Sequence, residues 1–170
     1  MDVSIIGSGY VGTTAAACLA DAGHAITAID IDADIVESLN KGEAPIHEPG
    51  LSELIATHAG GRLTATTEYA AARDADVTLL ALPTPSTPDG AVDTSIIEAA
   101  ADTLGETLAD HDEPHVVAVK STTIPGVTEN RLAPRLAGPD AETPGEASIH
   151  VATNPEFLRE GTAVADFRTP

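Results

Sequence analysis

The sequence predicts an α/β domain: a parallel six-stranded sheet, doubly wound, with helices on both faces. Three observations predict it. Short β-branched apolar runs alternate with helical segments, the runs end at Gly, Pro or polar residues, and the residues able to do chemistry cluster just after those runs. A length of 170 residues suits one large domain with one core.

Residues 3–6 form a short apolar run ended by glycines, which reads as a buried strand. The alanine-rich stretch 11–22 reads as a helix stopped by Gly23. Residues 25–29 give a second strand closed by Asp30, and 34–39 a helix, after which Pro45 and Pro49 interrupt the pattern. Residues 52–58 read as a short helix broken at Gly60 and Gly61, 62–66 as a weak third strand, and 69–73 as one or two helical turns. The fourth strand, 77–82, is strong. Pro83, Pro85 and Pro88 then force an extended loop, because proline fixes φ and removes a donor. A helix over 95–108 has Thr94 or Ser95 as N-cap, with Glu98 spaced for a capping box. Residues 116–119 read as the fifth strand, 127–136 as a helix, 137–147 as a Gly/Pro-rich surface loop and 149–152 as the sixth strand. No internal repeat is present at solenoid periods.

Aromatic residues are only 2% of the chain, so the core has to be aliphatic, built from Ala, Val, Ile and Leu. No apolar run approaches the ~20 residues of a membrane span, and Met1 is followed by Asp2 rather than a basic leader. These features predict a cytoplasmic protein without membrane anchor or secretory signal. Cys18 is the only cysteine, which excludes an intrachain disulfide and a cysteine-based zinc site; no metal site is read. Acidic residues number 27 against 8 basic ones, a formal net charge of -19. A phosphate backbone is repelled by such a surface, so nucleic-acid binding is disfavoured. Because the apolar residues fall into periodic segments, the acidity reads as a solvated surface suited to salt-rich surroundings, where screening removes self-repulsion, rather than as disorder.

A parallel sheet of this kind binds ligands beyond the carboxyl ends of its strands, where strand order reverses. After the first strand come Gly7, Gly9 and Gly12 in a G-x-G-x-x-G series, with Tyr10 and Val11 between the second and third glycines. This is the spacing of a Rossmann-type dinucleotide turn: a tight bend, a backbone that a pyrophosphate can approach, and a close-packed helix whose N-terminus faces the anion. Asp30 ends the second strand 18 residues after Gly12. A carboxylate there accepts from ribose hydroxyls and repels a 2′-phosphate, so the predicted cofactor is NAD rather than NADP. Thr84, after the fourth strand, is placed on the nicotinamide side. Lys120, Ser121 and Thr122 follow the fifth strand, and Glu156 follows the sixth, where an acid can act as a general base or orient water.

The chain resembles the nucleotide-sugar 6-dehydrogenase family. The resemblance runs through the opening 6–12, Glu48-Pro49-Gly50-Leu51, the loop 83–86 with Asp89-Gly90 and Asp93, Lys120-Ser121-Thr122, and the stretch 154–161, in the family's order. It implies a two-step oxidation of a sugar C6 alcohol to a carboxylate with two NAD per turnover, through an aldehyde and a cysteine thioester. It also implies that Thr122 and Glu156 are catalytic and hold a water, and that Glu160 is a further catalytic glutamate near the cofactor. Glu156 and the backbone around Phe157 and Leu158 would hold the nucleotide sugar. Gly7, Gly9, Tyr10, Val11, Gly12, Asp30, Thr84, Thr122 and Glu160 fall on the cofactor side. UDP-glucose is the favoured substrate, with UDP-N-acetylmannosamine and GDP-mannose as alternatives.

Family members are longer, with a central helix and a second α/β domain that carry the nucleophilic cysteine and further catalytic residues. Cys18 lies among Ala15, Ala16, Ala17 and Leu19 on the first helix and reads as an inert core residue. The expected organisation is a dinucleotide-binding domain over 1–153 and a substrate-loop segment over 154–170. The expected behaviour is NAD binding without complete oxidation by this chain alone. Apolar surface left for the rest of the enzyme would be covered by that missing half or by self-association. Two other readings stand beside it: a non-catalytic NAD-binding module acting through partners, and an unrelated dehydrogenase of small hydroxy acids.

Overall fold

A computed structural model describes residues 1–111, 113–137 and 149–169. Six strands form one sheet: β1 (Asp2–Ile6), β2 (Ala25–Ile29), β3 (Leu63–Thr66), β4 (Val77–Leu80), β5 (His115–Val119) and β6 (Ile149–Thr153). Their order is β3-β2-β1-β4-β5-β6 and every pairing is parallel. The chain therefore winds outward from β1 in both directions, and the reversal of order lies between β1 and β4. Ile6 pairs with both Ile29 and Leu80, Leu80 with Val119, and Val119 with Thr153. This register puts the next residues, Gly7, Asp30, Ala81, Lys120 and Asn154, along one edge of the sheet.

Helices α1 (Tyr10–Asp21), α2 (Ala33–Asn40), α3 (Leu51–His58), α4 (Ser95–Thr107), α5 (Ala133–Leu136) and α6 (Ala163–Arg168) cover the sheet. Two aliphatic cores result. One lies under α1, with Val3, Ile5, Ile26, Leu79 and the fully buried Ala15, Ala16, Ala17 and Ala20. Small side chains let α1 approach the strands closely, which compensates for the scarcity of aromatics. The other lies under α4, where Ile97, Ala101 and Leu104 meet Ile6, Ile29, Leu80, Val117 and Val119. Cys18 is buried in the first core, and burial pushes its thiol up to about 11, consistent with an inert packing residue.

The predicted elements are present, with three differences. The one or two helical turns expected over 69–73 are present as a 3-10 helix (Tyr69–Asp74), whereas the stretch expected as one helix over 127–136 is a π-helical turn (Thr128–Leu132) followed by α5. No capping box forms at α4. Thr94 makes no side-chain cap bond; its hydroxyl donates to Glu98 instead, and the Asp93 carboxylate accepts the Ser95 N–H. Glu98 is drawn away because it is buried between Arg131 (3.1 Å) and Arg135 (2.8 Å), which fasten the π-turn and α5 to α4. The third difference is α6, which follows the predicted substrate segment and packs on α1: Ala163 and Val164 are buried and Arg168 pairs with Asp21. Residues 163–168 thus belong to the same core as the dinucleotide-binding fold. The surface loop expected over 137–147 lies, from residue 138 on, outside the described residues.

At the far end of the sheet from the row of strand tips, Ser4, Thr78 and His115 form a buried polar chain. The two hydroxyls lie 2.6 Å apart and His115 Nε2 is 2.8 Å from Thr78 Oγ1. Burial holds the His115 imidazole below its ordinary 6.5, helped by neighbouring His111. The unfolded chain therefore takes up this proton first. His115 contributes its full stability above pH 6.5, and that contribution is lost as pH falls toward the folded value. Urea midpoints measured from pH 8 to pH 5 should fall more steeply for the parent than for His115→Gln.

Gly105 of α4 lies against α5: a Cβ there would sit 2.4 Å from the Arg135 carbonyl oxygen. Alanine in an exposed helix interior would gain about 1 kcal/mol over glycine. Here overpacking against backbone, worth about 1–3 kcal/mol, wins. Gly105→Ala should lower the denaturation midpoint.

Candidate active site

The first βα turn is held by contact. Gly7 adopts φ +97, its N–H donates to the Ile29 carbonyl (2.8 Å), and a Cβ on it would meet the Ala81 carbonyl oxygen at 2.6 Å. A Cβ on Gly12 would lie 1.8 Å from the Gly7 carbonyl oxygen, so only glycine lets α1 begin this close to β1. Gly9, the N-cap of α1, has open space where its Cβ would be. No side chain caps this helix and no acid occupies its first turn. The N–H groups of Tyr10, Val11 and Gly12 and the positive end of the helix dipole therefore remain for an anion. That cradle suits a dinucleotide pyrophosphate.

Asp30, half-buried at the tip of β2, faces the same turn. Its Oδ2 accepts the Ser8 N–H (2.5 Å) and its Oδ1 the Asp32 N–H (3.0 Å). These bonds fix the carboxylate while each oxygen retains acceptor capacity for a ribose hydroxyl. The loops after β4 and β5 are tied to each other. Leu82 N–H donates to Ser121 Oγ (2.9 Å), and the Thr84 hydroxyl donates to the Thr122 carbonyl (2.7 Å).

These parts enclose a cleft of 700 Å³ at the reversal of strand order. Gly7, Gly9, Tyr10, Val11 and Asp30 line one end; Thr84, Lys120, Thr122 and Glu156 line the other. An apolar recess of 380 Å³ adjoins Asp30, walled by Tyr69, Leu82, Ile96 and Ala100. On the opposite side a recess of 280 Å³ shares Lys120, Thr122 and Glu156 with the cleft. Gly12 lies behind the turn, packed on Gly7, and does not line the cleft.

Of the segment 154–161, only Glu156 lines the cleft. Its Oε2 accepts the Leu158 N–H (2.5 Å). Phe157 is 86% exposed, Leu158 is half-buried, and the exposed Glu160 sits beside Tyr10.

Two further buried charged groups bear on the site: Lys120, which the sequence places at the carboxyl end of the fifth strand as a candidate contact to substrate or phosphate, and Glu48. Lys120 is buried, is the only basic residue lining the cleft among the described residues, and donates from Nζ to Asn154 Oδ1 (3.1 Å). Burial lowers its pKa, and Glu156 acts in the opposite direction. Glu48, 3% exposed, accepts from the Tyr10 hydroxyl (2.5 Å), the Gly161 N–H (2.8 Å) and the Ala163 N–H (2.8 Å). The Tyr10 hydrogen bond, with both backbone donors, holds the Glu48 carboxyl below its usual range; burial and Glu48 together push Tyr10 up to about 12. In the sequence Glu48 stands out only as part of a Glu-Pro-Gly-Leu string, and its partners are 38 to 115 positions away.

Comparison with known proteins agrees with this geometry. Residues 1–170 match the model of the UDP-glucose/GDP-mannose dehydrogenase family, NAD binding domain. The chain is 55% identical over its whole length to UDP-glucose 6-dehydrogenase AglM of Haloferax volcanii, and 37% identical to GDP-mannose 6-dehydrogenase of Pseudomonas aeruginosa. It spans 39% of each of these relatives. The fold superposes on a ternary complex of GDP-mannose dehydrogenase from Pseudomonas aeruginosa with a TM-score of 0.95 (37% identity, all of this chain, 39% of that one). A UDP-glucose dehydrogenase from Pyrobaculum islandicum gives 0.90 (40% identity, 99% of this chain, 39% of that one). With the glycine cradle, the carboxylate at the tip of β2 and a match over its full length, this chain belongs to the UDP-glucose/GDP-mannose dehydrogenase family, and the part of the family it represents is the NAD binding domain.

Proposed function

We propose that this chain is the cofactor-binding part of an NAD-dependent UDP-glucose 6-dehydrogenase, oxidising the sugar C6 alcohol to a carboxylate. The observation that carries the reading is one continuous cleft with the glycine cradle and Asp30 at one end and Thr122, Lys120 and Glu156 at the other. The diphosphate rests on the N–H groups of Tyr10 and Val11 above Gly7 and Gly9, and Asp30 takes the ribose hydroxyls. The apolar recess beside Asp30 has the size and lining for an adenine ring. Thr84 and Thr122, joined by their hydrogen bond, flank the nicotinamide end. NAD, when bound, supplies the hydride acceptor.

The chain's own groups position the substrate and the proton. Glu156, steadied through Oε2 by the Leu158 N–H, keeps Oε1 as an acceptor for a water held jointly with the Thr122 hydroxyl. The backbone at Phe157 and Leu158 supports the nucleotide sugar, and Glu160, exposed beside Tyr10, stands on the cofactor side. Identity of 55% to a UDP-glucose enzyme against 37% to a GDP-mannose enzyme supports UDP-glucose as substrate. The net charge of -19, and a relative from a haloarchaeon, support a protein adapted to concentrated salt in the cytoplasm. No helix among the described residues is long and apolar enough to cross a membrane.

Calorimetry in concentrated KCl should show NAD binding. Asp30→Ala should weaken it about tenfold to hundredfold, as expected for hydrogen bonds to a charged group worth about 1.5–3 kcal/mol, and should erase discrimination against NADP. Unchanged affinity would remove Asp30 from the site. In the protein that carries the complete enzyme, Glu156→Gln and Thr122→Ala should each lower kcat about 10²–10⁴-fold, the range for general acid–base groups. Steady-state NADH formation with UDP-glucose checks this, and an unchanged kcat would refute the assignment.

A further inference from the structure

The turn that cradles the cofactor and the segment assigned to the substrate lie about 150 positions apart in sequence, yet they meet at one buried carboxylate. Glu48 is 3% exposed and accepts three hydrogen bonds, from Tyr10 Oη, Gly161 N and Ala163 N. Tyr10 is the first residue of α1 and lines the cleft. Gly161, with φ +88, turns the chain out of the 154–161 segment, and Ala163 opens α6, whose Ala163 and Val164 are packed in the core. Glu48 does not cap its own helix: α3 has Gly50 as N-cap and no side-chain cap bond. A buried carboxylate is costly unless its acceptors are filled, and all three of its donors come from the two functional segments.

We propose that Glu48 is a positioning residue that couples occupancy of the dinucleotide turn to the geometry of the substrate segment. The inference rests on the cofactor reading above. A diphosphate on the α1 N-terminus restrains Tyr10. The Tyr10 hydroxyl then restrains Glu48, and Glu48 holds the Gly161 and Ala163 amides at the end of the substrate segment. Ordering at one site lowers the cost of ordering at the other, and linkage makes the effect reciprocal. A glutamine cannot reproduce the arrangement, because its NH₂ group would face at least one of the three donors.

Amide hydrogen exchange of the chain with and without NAD tests this. NAD is expected to slow exchange at Gly161 and Ala163 at least tenfold, although neither residue lines the cleft. In Tyr10→Phe, measured at an NAD concentration that calorimetry shows to saturate the variant, the backbone cradle and both Glu48–amide bonds remain, so apo protection is expected to persist while the response of Gly161 and Ala163 to NAD disappears. In Glu48→Gln both are expected to be lost. A role for Glu48 in stability alone predicts that Tyr10→Phe responds to NAD as the parent does, and that result would overturn the coupling, as would NAD binding that leaves both amides unchanged in the parent. Absence of NAD binding by calorimetry would instead refute the cofactor reading, and the coupling with it.

Discussion

The site depends on one non-bonded contact, that of Gly12 with the Gly7 carbonyl. A methyl group at residue 12 would sit 1.8 Å from that oxygen, so α1 starts where it does only because no side chain is present. Its position has three consequences. Tyr10 and Val11 reach the cleft, the unpaired N–H groups of the first turn point along the anion path, and Ala15 to Ala17 lie flat against the sheet. Displacing the helix by the width of a methyl would disturb all three together, because a close-packed interior transmits such a shift rather than absorbing it.

Parallel register does the rest. With the ends of β2, β1, β4, β5 and β6 level, Gly7, Asp30, Lys120 and Asn154 are neighbours along one edge although they span most of the chain. Short cross-links then convert neighbours into a rigid rim: Asp30 to the Ser8 and Asp32 amides, Ser121 to Leu82, Thr84 to Thr122, Lys120 to Asn154. All but the local Asp30–Asp32 bond join segments that follow different strands, so the rim is held without any one loop having to be stiff by itself. The cleft shares the acidity of the chain as a whole: among the described residues Asp30, Asp32 and Glu156 line it beside a single lysine, Lys120.

Polar groups buried elsewhere are structural fasteners by the same logic. Glu98 gives up a cap at its own helix to bind Arg131 and Arg135, because a buried carboxylate gains more from two guanidinium partners than from an N-terminal amide. Nearer the surface, half-buried Asp166, held down to about 2 chiefly by the Arg159 guanidinium, stitches the segment 154–161 to α6.

By itself the sequence determined the alternation of strands and helices, the parallel sheet, the glycine turn and Asp30. These follow from local rules: strand length, helical composition, and a turn in which only glycine fits. Element bounds moved by a residue or two, the fourth strand lost its last two residues to the loop, and the helix expected over 127–136 split at a π-turn. The tertiary structure alone decided which tips stand side by side, that 163–168 joins the core, and that Glu48 gathers Tyr10, Gly161 and Ala163. Those outcomes rest on hydrogen bonds between residues tens to more than a hundred positions apart, and no periodicity or short motif encodes a partner at that distance.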